Sequence, residues 1–135
     1  MTKEHVEVVR KDVDKIFELV HQVPWEDHEA FLVSLAMTDT IHEEKLGGNA
    51  GFAIMSDKER RAEVASALQR SKDTAAIDAP GAKLSALAWR IYAHRLLAIA
   101  AGEERLLDHI TQKSAPLIAL GLQAALEMDK RGRRL

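Results

Sequence analysis

The 135-residue chain has no cysteine, only three prolines, seven glycines and 4% aromatic residues. Without a thiol there is no disulfide framework, no thiolate metal site and no cysteine nucleophile. With proline confined to positions 24, 80 and 116 and glycine sparse and clustered, long intervals of helix-forming residues run unbroken. That composition reads as an all-α chain in one domain, residues 1 to 135. Long hydrophobic runs are absent too. Leu84 to Ala101 is interrupted by Arg90, His94 and Arg95, and Ala115 to Leu126 falls short of the roughly 20 apolar residues that a spanning helix needs. The start, Met1 to His5, lacks the apolar stretch of a signal peptide. A soluble, cytoplasmic protein with no membrane partner is expected.

A large charge of one sign is also missing. The formal net charge is −2, from 19 Lys and Arg against 21 Asp and Glu. This excludes a uniformly basic nucleic-acid binder and a highly charged disordered chain. The total hides a gradient: residues 1 to 44 carry 4 basic and 11 acidic side chains, while Lys130, Arg131, Arg133 and Arg134 crowd the last six positions. The first segment reads as an acidic surface for a basic protein partner, with Glu4, Glu7, Asp12 and Asp14 as its test positions. The last, 130 to 135, reads as a flexible basic tail, whose four charges make nucleic-acid binding weak and salt-sensitive.

Five to six helices make up the expected bundle. The first covers Thr2 to Gln22, with Val6, Val9, Val13, Ile16, Phe17 and Val20 on one stripe. Pro24 and Trp25 turn the chain into a second helix opened by Glu26, Asp27 and Glu29, so that helices 1 and 2 form an antiparallel hairpin. It ends before Gly47-Gly48-Asn49-Ala50-Gly51, glycines that let the chain cross to the next hairpin. Phe52, Ile54 and Met55 then either join the core or form a small partner-facing patch. Ser56-Asp57-Lys58-Glu59 has the form of a capping box opening a third helix, to about Ser71. Asp78 is placed to cap a fourth, Gly81 to Ala101; Glu103 to Gln112 is a fifth, and Ser114-Ala115-Pro116 opens a sixth to Lys130. The fourth and sixth are apolar around most of their circumference, and Gly121, Ala124 and Ala125 leave room for a close helix neighbour. A homodimer through one or both of them is therefore expected.

Polar residues stand where a core is expected. The stripe of the second helix that holds Phe31, Leu32 and Leu35 also carries His28, Asp39 and His42, with Glu43 on its border. On the fourth, Arg95 projects between Leu84 and Ala88, with His94 at the edge of the same arc. An inward Arg without a carboxylate is too costly, and Asp39 is the carboxylate on a buried stripe. A network of Asp39, His42 and Arg95 follows, with Glu43 and His94 as further members. Asp39, His42 and Arg95 are the candidate catalytic residues, and Asp39, His42 and Glu43 the candidate metal ligands.

Complete catalytic signatures are missing. Glu18-x-x-His21 and Asp39-x-x-His42 have the spacing of di-metal bundles, yet an antiparallel hairpin holds them some twenty-odd ångströms apart at about 1.5 Å per residue. Arg90-x-x-x-His94 and Arg105-x-x-x-His109 fall one residue short of the spacing in helical ribonucleases. Glu4-x-x-Glu7 and Glu26-x-x-Glu29 lack the Glu-x-x-Asp that completes the magnesium motif of helical pyrophosphohydrolases, and no Ser lies in Gly-x-Ser-x-Gly. A small non-enzymatic accessory or adaptor protein without a cofactor, acting through protein contacts, is the leading expectation. The rival is an enzyme binding a metal or small ligand at Asp39, His42 and Arg95.

Overall fold

A computed structural model describes residues 1 to 24 and 28 to 133. Every element among them is helical: α1 (Lys3–Gln22), α2 (His28–Leu46), α3 (Gly48–Ala53), α4 (Asp57–Ala75), α5 (Ala82–Ala101) and α6 (Glu104–Arg133). None is long and apolar enough to cross a membrane. The turn at Trp25 and the acidic opening at Glu26 and Asp27 lie outside the described residues.

The α1 stripe faces inward as its spacing requires, with Val9, Val13, Ile16, Phe17 and Val20 buried. Thr2 caps the helix by accepting from the His5 amide at 3.1 Å. The main neighbours of α1 are α5 and α6. Phe17 also meets Phe31 of α2 edge to face, ring centres 6.1 Å apart.

The glycine-rich segment is not a plain crossing. Gly47 and Gly48 both take positive φ, 77° and 72°, reversing the chain as only glycine does without strain. The reversal launches α3, a helix absent from the sequence reading. It carries Phe52, with no exposed surface, into a core formed with Ala67, Trp89, Tyr92, Ala93 and Leu96. Ile54, by contrast, is 87% exposed.

The capping box opens α4 as expected: Ser56 Oγ accepts from the Glu59 amide at 3.1 Å and donates to its carboxylate at 2.9 Å. α4 continues past Ser71 to Ala75. It lies on α5, where Arg70 stacks 4.3 Å from the centre of the Trp89 ring. Asp78 does not cap α5; that position belongs to Gly81, in the left-handed conformation. α5 is the axis of the molecule. It touches every other helix of the fold, and these contacts cover much of its apolar circumference.

Gly102 ends α5 in a Schellman arrangement, its own amide bonding to Ile99 O and that of Glu103 to Ala98 O. Beyond it the expected fifth and sixth helices are one continuous α6, with Pro116 inside it. Proline removes the bond to Gln112 O, but both residues are exposed and water can serve that carbonyl. Ser114 and Gly121 on either side are buried, so packing holds the helix through a break that local preference alone would favour. α6 also extends through Lys130 to Arg133, so the basic run is helical that far.

Gly121 is the point of closest approach between α6 and α2. A Cβ there would overlap the Leu32 carbonyl and crowd Ala36. The room that the small residue leaves is taken by a helix of the same chain. Gly121→Ala is therefore expected to destabilise the fold by about 1 to 3 kcal/mol, opposite in sign to the gain of roughly 1 kcal/mol expected from helix propensity. Urea unfolding followed by circular dichroism measures the difference.

Candidate functional site

Where α2, α3 and α5 meet, four hydrogen bonds run in series. His42 has no exposed surface. Its Nδ1 lies 3.1 Å from the Tyr92 hydroxyl and its Nε2 lies 2.7 Å from Asn49 Oδ1. Asn49 Oδ1 also accepts from Arg95 Nη2 at 3.2 Å, and Arg95 Nη1 donates to Asp39 Oδ1 at 3.0 Å. Because an amide oxygen only accepts, the His42 proton sits on Nε2, and Nδ1 is left to accept from Tyr92. Burial pushes the imidazole below its ordinary pKa of 6.5, and Arg95 acts in the same direction against Asn49, Glu43 and Asp39. Burial likewise pushes the Tyr92 hydroxyl up to about 12. The ring is neutral at pH 7 and the phenol keeps its proton.

Asp39, His42 and Arg95 are thus brought together, with Asn49 joining His42 to Arg95. Glu43 is not a member: its carboxylate lies over Gly48, where a Cβ would come within 2.8 Å of it. Asp39, His42 and Glu43 do not converge either. Among the described residues no group of three or more His, Asp and Glu side chains is placed to hold a metal ion. Both His42 nitrogens are already engaged, and Asp39 faces a guanidinium.

His94 belongs elsewhere. Its Nε2 lies 2.6 Å from Asp12 Oδ2, and Arg90 Nε reaches the same carboxylate at 2.7 Å. Two residues on, Asp14 meets His109 at 2.6 Å and Lys113 at 3.2 Å. Burial lowers the His94 pKa in spite of Asp12. For Asp14, burial alone would raise the pKa, but His109 and Lys113 together hold the carboxyl below its ordinary value. Asp12 and Asp14 therefore tie α1 to α5 and α6. Three of the four acidic positions expected to face a basic partner are paired within the chain, since Glu7 also lies 3.9 Å from Arg10.

Asn49 and Tyr92 are the members that sequence reasoning misses. Asn49 hides in a segment whose glycines suggest a connector, and Tyr92 lies on the flank of a helix read as apolar. The usable signal for Asn49 is its seven-residue distance from His42 across a double glycine, which brings the chain back over the helix end. No protein-family model, curated protein or solved structure matches the chain.

Within the cluster each His42 nitrogen has a partner and the cation meets its carboxylate, while Arg95 Nε alone of the guanidinium nitrogens is buried without one. Asn49→Ala would leave two donors, His42 Nε2 and Arg95 Nη2, without their common acceptor. The expected loss is about 2 to 4 kcal/mol, read by thermal and urea unfolding against the wild-type chain.

Proposed function

We propose that the chain is a small non-enzymatic helical accessory protein that works through protein contacts and pairs with a second copy of itself along α6. The observation that carries this reading is an apolar stripe on the outer side of that helix. Ala115, Ala119, Leu122 and Leu126 recur at intervals of 4, 3 and 4 residues, the spacing of a helix–helix seam, and all four are exposed. Leu122 is 46% and Leu126 62% exposed. The opposite side of α6 is covered by α2, so the stripe is additional to what the fold uses.

The stripe is complementary to itself when run antiparallel. With a two-fold axis between residues 120 and 121, Ala119 stands across from Leu122 of the partner subunit and Ala115 across from Leu126 of the partner subunit. Each large side chain then meets a small one. At the margin Gln112 falls opposite Asp129 of the partner subunit, where an amide can donate to a carboxylate. Such a pairing is isologous and closes on itself, as a symmetric dimer must. The cluster at His42, in which both imidazole nitrogens and the Arg95–Asp39 charges already have partners, supports a scaffolding role for the charged residues of α2 over a catalytic one.

Sedimentation tests the proposal. The wild-type chain is expected at twice its 15.0 kDa mass at micromolar concentration. Replacing Leu122 and Leu126 together by Glu should weaken association by two orders of magnitude or more, since burial of each Leu contributes about 1.5 to 3 kcal/mol. Helix content should stay unchanged because both positions are exposed. A wild-type monomer at tens of micromolar, or a double variant that still dimerises, would refute it.

A further inference from the structure

A cavity of about 200 Å³ opens between α2, α5 and α6. It exceeds the roughly 150 Å³ that accommodates a benzene ring in an engineered protein core. Its walls are mainly apolar, with Leu35, Ile91, Ile110 and Ile118 supplying the largest side chains. Asp39 and Arg95 from one end of the hydrogen-bonded series and Tyr92 from the other also line it, together with Thr38, Thr111 and Ser114. An apolar chamber with a few polar groups on its walls is the usual form of a small-molecule site.

Two polar atoms on the lining residues have no partner among the described residues. Ser114 is only 6% exposed and its Oγ makes no hydrogen bond, and Arg95 Nε is buried in the same state. An unmade bond at a buried polar atom is unfavourable, and an arriving acceptor can relieve it. The charge of Arg95 is already met by Asp39 at 3.0 Å. A second anion in that space would stand beside the Asp39 carboxylate with no cation of its own, which disfavours charged ligands.

We infer that this cavity is a binding site for a small uncharged molecule with a ring-sized apolar body and one oxygen that accepts a hydrogen bond, such as an aromatic amide or ketone. The apolar body lies among Ile91, Ile110 and Ile118. The oxygen takes its hydrogen bond from Ser114, with a small adjustment of the side chain. The site shares Ala115 with the α6 seam, but Ala119, Leu122 and Leu126 do not line it, so ligand binding can be read in the Leu122 and Leu126 double variant as well as in the wild type.

Isoleucine methyl spectra of the full chain, titrated with benzamide, benzoate and toluene, test the inference. Benzamide is expected to shift the methyls of Ile91, Ile110 and Ile118 and to bind more tightly than toluene, with benzoate weakest. Ser114→Ala deletes a hydroxyl that is unpartnered in the fold, so the variant should fold as stably as the wild type. It should lose roughly five- to tenfold in benzamide affinity, the range of one hydrogen bond, with toluene unchanged. No methyl response to millimolar benzamide would mean that the cavity holds water alone and would overturn the assignment. Preference for benzoate over benzamide, or equal benzamide affinity in wild type and Ser114→Ala, would overturn it as well.

Discussion

One guanidinium inside a helical bundle sets the terms for much of this molecule. Arg95 projects from the central helix, with its side chain only 16% exposed. Withdrawing such an ion from water costs several kcal/mol unless acceptors meet it. α2 supplies one, Asp39, from the turn preceding His42. The second, Asn49, arrives only because Gly47 and Gly48 double the chain back into a six-residue helix over the end of α2. The same carbonyl oxygen satisfies His42, which in turn occupies the hydroxyl of Tyr92. The α2–α3 reversal, the neutrality of a fully buried imidazole and the placement of Phe52 in the second core are therefore linked.

The acidic character of α1 has a comparable internal explanation. Asp12 and Asp14 are two residues apart and so diverge around the helix, one toward Arg90 and His94 on α5, the other toward His109 and Lys113 on α6. The carboxylates straddle an apolar stripe that packs on the same two helices. Hydrophobic burial holds α1 down, and the charged pairs define its rotation and register. Part of the negative excess in the first third of the chain is the complement of basic residues further along.

Much of the fold was legible because it depends on local pattern. The α1 stripe, the Ser56–Glu59 box and the stop at Gly102 each declare themselves within one or two helical turns. Arg95 and Asp39 could also be matched by reasoning that an inward cation must find a carboxylate. What escaped depends on contacts distant in sequence. Pro116 marks a helix start by local preference, yet the burial of Ser114 and Gly121 against other helices carries α6 through it. Gly121 suggests a foreign helix partner, but that space is filled by α2 of the same chain. His94 lies on the same arc as Arg95, and only the position of α1 reveals that it serves Asp12. Asn49 was hidden most completely, since glycine on either side makes a segment look like linker whatever its polar residue does.

The protonation state of His42 tests the central claim most directly, because each hydrogen bond in the series constrains it. Long-range proton–nitrogen correlation spectra of the imidazole, followed as the pH is lowered, distinguish its neutral tautomers from imidazolium. An ordinary histidine is half protonated at pH 6.5. With the pKa depressed by burial, His42 should remain mainly neutral there, with its proton on Nε2, and should take up a second proton only at lower pH. A half-formed imidazolium at pH 6.5, or a neutral ring with its proton on Nδ1, would contradict the account.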